Sequence, residues 1–274
     1  MQLSAPAKLN LCLFVGPPRD DGLHEIRSLF EPLSLADRLE VAEAERDSVV
    51  CPDVEGENLA AAALGALRER GWDSPPVQVR IEKRIPIAGG LGGGSADAAA
   101  VLRLADGAVG GVDEAATALG ADVLSQLRPA FALVAGAGER IEALPRPADH
   151  AFVLIPHEQG LRTADVYAEA DRLGLNRDRE ALDELGDRLR AAAGAGASPL
   201  EYAELLVNDL EPAATSMRPE VEASLDSLRE AGAVRALISG SGPTAFGLFA
   251  DLEAAEAAAA EIGEAAIACT PGAP

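Results

Sequence analysis

Lysine is nearly missing from this chain of 274 residues: of 23 basic residues only Lys8 and Lys83 are lysine, and the rest are arginine. Where arginine is the default cation, a lysine raises the question of whether a compact ammonium is needed at that place. For Lys83, chance composition stays open beside that reading. Cysteine is scarce as well. Cys12, Cys51 and Cys269 are far apart, with no C-x-x-C pair and no zinc spacing, so reduced thiols and a cytoplasmic protein are expected. No apolar run approaches a membrane span, and the first residues lack the basic region of a secretory leader. Positive charge is in deficit. A net charge of −22 and a pI near 4.4 argue against a nucleic-acid or anionic-membrane surface, so a site for an anion must be locally positive.

What remains is ordinary for a globular protein, 48% hydrophobic and 25% charged, and long enough for one large or two medium domains. One stretch stands out, Pro86-Ile-Ala-Gly-Gly-Leu-Gly-Gly-Gly-Ser-Ala-Asp-Ala-Ala-Ala100, in which five glycines precede Ser95, Asp97 and a run of alanine. Glycine tolerates positive φ and lets backbone N–H groups approach a ligand closely. Ser95 is a candidate N-cap for a helix over 96–105, composed of strong helix formers. A glycine turn opening into a helix N-terminus suits a phosphate chain. A P-loop is excluded because no lysine follows Gly94, and a dinucleotide fingerprint because Asp97 stands where glycine or alanine is required. A tight strand-to-helix turn without a ligand is the plainer alternative.

Leu9, Leu11, Leu13 and Val15 alternate with Asn10, Cys12 and Phe14. That period of two makes a strand and sets Lys8, Asn10 and Cys12 on the face opposite the leucines. A turn over 17–22 leads into an extended segment, and 33–42 reads as a strand around an Asp37-Arg38 turn. Leu59, Ala63 and Leu67 mark a helix over 58–70. A strand over 77–81 feeds the glycine loop. A short helix over 113–119 stops at Gly120, and a hairpin over 131–144 precedes the proline-rich linker 145–149. Beyond it come a strand over 151–155 and helices over 163–173 and 179–193. A helix capped by Ser198 with Pro199 in its first position comes next, then one from Pro219 that buries Val221, Leu225 and Leu228. Strands over 233–238 and 245–249 flank a second glycine turn, Ser239-Gly-Ser-Gly-Pro243, and an Ala/Glu helix closes the chain. Strands and helices mixed without a βαβ rhythm indicate α+β. Taken singly, Asp122 after a helix-ending glycine reads as a cap or turn residue, His24 as a solvated or packed histidine, and Tyr167 as core or surface.

In order along the chain, six segments resemble the galactokinase–homoserine kinase–mevalonate kinase–phosphomevalonate kinase (GHMP) superfamily. They are Pro6-Ala-Lys-Leu-Asn-Leu11, Asp21-Gly-Leu-His-Glu-Ile26, Pro86 to Ala98, Gly120-Ala-Asp-Val123, Asn208-Asp-Leu-Glu-Pro212 and Ser239-Gly-Ser-Gly-Pro-Thr244. The Lys-x-Asn strand, Asp-Gly-x-His and Asn-Asp-Leu-Glu-Pro are most similar to the branch acting on 4-diphosphocytidyl-2-C-methyl-D-erythritol in non-mevalonate isoprenoid synthesis. The resemblance implies a two-domain α+β fold, with an ATP-binding domain over 1–147, a second domain over 148–274 and the active site in the cleft between them. It implies ATP-dependent phosphorylation of the substrate's 2-hydroxyl, with Mg²⁺ on the nucleotide. Pro86, Ile87, Ala88, Gly89, Gly90, Leu91, Gly92, Gly93, Gly94, Ser95 and Ala96 would hold the ATP phosphates, with Ser95 nearest the metal. Lys8 and Asp122 align with the catalytic pair, the aspartate orienting or deprotonating the hydroxyl and the lysine stabilising developing charge. Asn10 would face the substrate, His24 would contact the cytosine and Tyr167 would stack on it. The second glycine turn, otherwise a plain hairpin, becomes a wall of the cleft. The partner implied is a small molecule, a cytidyl diphosphate sugar alcohol, with no nucleic acid and no membrane.

This chain departs from the family pattern in three places. Leu23 replaces the usual tyrosine beside the histidine, Leu124-Ser125-Gln126 replace a proline and aromatics, and Pro129-Ala130 replace a glycine pair. A homoserine- or mevalonate-type kinase is the first alternative, and His24 with Tyr167 favours the cytidyl substrate over either. A non-catalytic nucleotide-binding relative would be expected to have lost Lys8 or Asp122, and both are present.

Overall fold

The computed structural model describes residues 1–54, 56 and 58–272. Its first half runs β1 (Gln2–Pro18), β2 (His24–Glu43), β3 (Ser48–Val50), α1 (Leu59–Glu69), β4 (Val77–Glu82), α2 (Gly93–Leu102), α3 (Val112–Leu119), α4 (Ala121–Leu127), β5 (Ala132–Gly136) and β6 (Arg140–Ala143). The second half runs β7 (Ala151–Ile155), α5 (Thr163–Leu173), α6 (Arg179–Ala193), α7 (Glu211–Met217), α8 (Glu220–Glu230), β8 (Arg235–Ile238), β9 (Ala245–Phe249), α9 (Leu252–Ile262) and β10 (Ile267–Cys269). The first six strands form one sheet, ordered β3-β4-β2-β5-β6 with β1 paired to β2, and the last four form another, ordered β10-β7-β9-β8.

β2 is the spine of the larger sheet. β1 runs antiparallel to it from Gln2↔Glu40 to Pro18↔His24, while β4 pairs with its residues 38–43 and β5 with 26–30. The turn expected at Asp37-Arg38 does not form. Asp37 is buried, and its carboxylate accepts the backbone N–H groups of Arg84 (2.6 Å) and Ile85 (2.8 Å), so the strand continues through it. In β1 the pairing register shifts between Asn10 and Cys12. A bulge of this kind exchanges the faces of a strand. Lys8 and Asn10 therefore line a cleft with Leu13, whereas Cys12 is fully buried among leucines rather than sharing their face. Burial pushes the Cys12 thiol up to about 12, so it stays protonated.

Helix α2 lies at the centre of the first half. Ala96 to Leu102 are buried all round, because small alanines let α1, α4 and β1 pack close on every side. Its start differs from expectation. The helix begins at Gly93, and Gly92 caps it in the left-handed conformation with φ 70°, so Ser95 sits inside the first turn instead of at the cap. The residues after Gly120, expected only to trail a turn, form the short helix α4, and α7 is a further helix without a sequence expectation. Ser198 does cap with a reciprocal Glu201 box, but the segment it caps, Pro199–Leu205, is a kinked 3₁₀ helix and not an α-helix.

The second half is stitched to β1. Leu13 N–H donates to Val207 O and Asp209 N–H to Leu13 O, both at 2.8 Å, and the Asp209 carboxylate accepts Val15 N–H at 3.0 Å. Leu13, Val15 and Ile26 join the core of the smaller sheet beside Val153, Val166 and Leu225. Helix α6 crosses back to pack on β1 and β2.

Candidate active site

The cleft has a volume of about 680 Å³ and is bounded by β1, β2, the glycine loop, α4, α5 and the second glycine turn. At its centre stands Lys8, almost buried at 8% exposure. Its ammonium donates to Asn10 Oδ1 at 2.5 Å and lies 3.4 Å from Asp122 Oδ2 and 4.6 Å from the centroid of the Phe30 ring. Asn10 Nδ2 donates to Ser28 Oγ at 2.9 Å, and Ser28 Oγ donates to Cys12 O at 2.6 Å. That relay turns the Asn10 carbonyl towards Lys8. Asp122 sits in the first turn of α4, where its charge is also favoured by the helix dipole.

One side of this pair is the glycine loop. Gly90 and Gly92 take φ of 76° and 70°, and the loop also holds Ala88 at φ 56°. A Cβ at Gly90 would lie 2.6 Å from Ser239 O, and one at Gly92 would lie 2.7 Å from Gln126 Nε2 and 3.0 Å from Lys8 Cγ. Glycine is required there by both backbone conformation and space. The first N–H groups of α2 have no partner within the helix and carry the positive end of its dipole. Behind the loop, Lys83 settles the question left open by composition. It is buried against Asp37 of β2 and lies 2.8 Å from Asp97 of α2. Burial pushes the Asp97 carboxyl up, to about 6, against the pull of Lys83.

The second glycine turn braces the loop. Ser239 Oγ donates to Gly90 O at 3.2 Å and accepts Asn10 N–H at 3.3 Å, while Asn208 Nδ2 holds Ile238 O and Gly240 O, each at 2.8 Å. It is a wall of the cleft as well as a hairpin. At the far end, His24 Nε2 lies 2.8 Å from Asp171 Oδ1, and the His24 and Tyr167 rings are 5.1 Å apart. Partial burial raises the Asp171 carboxyl, but hydrogen bonds from Asn176 and His24 outweigh it and the net shift is downward. Burial first, and the Asp122 charge second, raise the Tyr167 phenol. Leu23 is 55% exposed on the rim. The replaced positions Leu124, Ser125, Gln126, Pro129 and Ala130 line a neighbouring groove of about 350 Å³ that shares Lys8 and Phe30 with the cleft.

The structure thus brings Lys8, Asn10, His24, Gly90, Gly92, Asp122 and Tyr167 to one cleft, with the rest of 86–95 lining an adjoining groove of about 380 Å³ beside Lys83 and Asp97. Ala96 is buried in α2 behind them. Sequence reasoning missed Ser28, Asp171, Gln126 and the Asp37–Lys83–Asp97 cluster. Asp171 stands four residues after Tyr167 on a recognised helix, a spacing that marks it as a neighbour of the ring.

Known proteins carry the same pattern. The profile of the GHMP kinases N terminal domain matches residues 58–127, and that of the GHMP kinases C terminal matches residues 178–268. A 4-diphosphocytidyl-2-C-methyl-D-erythritol kinase of Anaeromyxobacter sp. (strain Fw109-5) is 40% identical, over 96% of this chain and 87% of that relative. The chain belongs to this family of GHMP kinases. A crystal structure of 4-(cytidine 5'-diphospho)-2C-methyl-D-erythritol kinase superposes with a TM-score of 0.83 at 33% identity, covering 100% of both chains. A homoserine kinase from Cytophaga hutchinsonii shares the fold at a TM-score of 0.74 and 18% identity, covering 99% of this chain and 94% of that one. The family is one of ATP-dependent small-molecule kinases with a two-domain α+β fold. No helix among the described residues is long and apolar enough to cross a membrane.

Proposed function

We propose that this GHMP kinase transfers the γ-phosphoryl group of ATP to the 2-hydroxyl of 4-diphosphocytidyl-2-C-methyl-D-erythritol. We propose that the domains divide near residue 147 and that the reaction takes place in the cleft around Lys8. The observation that carries this reading is the Lys8–Asp122 pair, 3.4 Å apart, standing between a glycine loop on one side and the His24–Tyr167 rings on the other. Phosphoryl transfer asks a protein mainly for positioning and charge stabilisation. The backbone N–H groups of the loop and the first turn of α2 supply the first at the nucleotide. Asp122 accepts or orients the proton of the attacking hydroxyl, and Lys8 meets the negative charge that develops on the transferred oxygens. Asn10 keeps the ammonium aimed at that charge through its 2.5 Å contact.

A magnesium ion would be held by hard oxygen donors, Ser95 Oγ in the first turn of α2 and, once ATP is bound, its phosphates. When bound it neutralises phosphate charge. No group of three His, Cys, Asp or Glu side chains among the described residues could hold a metal ion alone. At the other end, Asp171 accepts from His24 Nε2–H, which leaves Nδ1 as an acceptor for an exocyclic amine such as that of cytosine. Tyr167 offers a ring face for the base, a contact of roughly 1–3 kcal/mol.

The test is ATP consumption with Mg²⁺ present and three acceptors in turn, the cytidyl substrate, homoserine and mevalonate. Turnover is expected with the cytidyl substrate alone. Tyr167→Ala should raise the KM for that substrate about 5- to 150-fold with a smaller change in kcat. A normal KM with a lowered melting temperature would make Tyr167 a packing residue and remove the cytosine argument.

A further inference from the structure

Helix α4 holds the cleft at two points. Asp122 near its start and Gln126 four residues on lie on one face of the helix. Asp122 reaches Lys8, and Gln126 Nε2 donates to Gly92 O at 2.9 Å. Gly92 O already accepts Ala96 N–H at 2.8 Å, the bond that starts α2. Leu91 O, one residue earlier, accepts the backbone N–H of Lys8 at 3.0 Å. The contacts close a ring: Lys8 to Asp122, along α4 to Gln126, across to Gly92, and through Leu91 back to Lys8. Arg103 locks the frame from behind, one guanidinium nitrogen on Gln126 O at 2.8 Å and the other on Ser4 O at 2.7 Å.

The amide of Gln126 is dedicated to this bond. The side chain is 3% exposed, and its Oε1 has no hydrogen-bond partner among the described residues. A hydrogen bond from a nearly buried amide to a backbone carbonyl restrains the peptide that accepts it. Among the described residues, Nε2 donates to Gly92 O alone.

We propose that Gln126 is a positioning residue that sets the spacing between the phosphate loop and the Lys8–Asp122 pair, by tying Gly92 O to the helix that carries Asp122. The assignment rests on the reading of the cleft as the kinase site. Without the bond, the Gly92 peptide loses its side-chain restraint and the loop shifts relative to the attacking group. Misplacements of about 1 Å can cost on the order of 10²-fold in rate.

Gln126→Met keeps the length of the side chain and removes both the donor and the orphaned Oε1. It is expected to lower kcat about 10-fold or more while ATP affinity changes by less than about 3-fold. Its melting temperature should stay the same or rise. Amide hydrogen exchange over residues 90–96 should quicken in the free protein, a readout that needs no acceptor substrate. Quicker exchange with no turnover by either protein on the cytidyl substrate would uphold the positioning role and overturn the proposed reaction. Unchanged exchange and unchanged kcat, or a lowered melting temperature with kcat intact, would overturn the positioning role. Should the methionine variant fail to fold, Gln126→Leu, a smaller apolar side chain that likewise carries no donor, is measured the same way and read by the same kcat and exchange outcomes.

Discussion

The two lysines of this chain are both nearly buried and both paired with carboxylates, yet their surroundings differ in kind. Lys8 has one carboxylate, Asp122, at 3.4 Å, and the side chain of that aspartate is 40% exposed to the cleft. Lys83 is enclosed by two, Asp37 and Asp97, whose side chains are 0% and 5% exposed. An ammonium has three donors. Lys8 uses one on Asn10 and stays available to a new anion, whereas Lys83 is bound on both sides by carboxylates that are almost wholly buried. The first arrangement suits a cation that works on a ligand. The second suits one that holds structure, because removing the lysine strands two nearly buried carboxylates without a counter-ion.

The largest effect expected is on turnover at the open pair. Lys8→Met should lower kcat by about 10² or more, because it removes a cation aimed at transition-state charge. Its melting temperature should move little, since the aspartate left behind reaches water. Steady-state kinetics with a thermal melt check both. Near-normal turnover would make Lys8 as structural as Lys83 and erase the contrast.

Lys83→Met should act the other way round. Two buried carboxylates lose their counter-ion, and the expected loss is roughly 3–5 kcal/mol. In a domain pair of this size that lowers the melting temperature by about 10 °C. Differential scanning calorimetry reads it directly. A variant that melts normally but binds ATP poorly would shift Lys83 from the scaffold to the ligand.

Much of this is legible in the sequence, and the parts that are not share a cause. The alternation in β1, the 3.6-residue pattern of α1 and the glycine loop are local signals. Local signals are enough to place Lys8, Asn10 and the loop. Asp37 reads as a turn residue because its neighbours in sequence say nothing of Arg84 and Ile85, whose N–H groups it accepts. Ser95 reads as a cap because Ser commonly is one, but the left-handed Gly92 already provides the helix start. Helix α4 has only seven residues, too short for a periodic pattern to stand out, and Gln126 is hidden with it. The bulge that swaps the faces of β1 after Asn10 is likewise a matter of pairing, which a single strand does not encode.

The smallest expected effect sharpens the contrast inside the enclosed cluster. Asp37 is tied to the backbone at Arg84 and Ile85, but Asp97 uses Oδ2 on Lys83, and its buried Oδ1 has no partner among the described residues. Burial pushes its carboxyl up to about 6, above the ~3.9 of an unfolded chain. A group of that kind binds its proton more tightly in the folded state. Its contribution to stability is therefore present below the unfolded value and lost as the pH rises through about 6. At neutral pH the ionised Asp97 works against the fold, and one lysine needs only one carboxylate. Asp97→Asn keeps a hydrogen bond to Lys83 and removes the surplus charge, so it should stabilise the protein at pH ~7 by about 1–3 kcal/mol. The gain should fade as the pH is lowered towards ~4, where wild type carries the proton itself. Thermal melts of both proteins across that range measure the difference. A loss of stability at neutral pH would mean that Lys83 requires both partners, and that the buried cluster is balanced by charge rather than held by Asp37 alone.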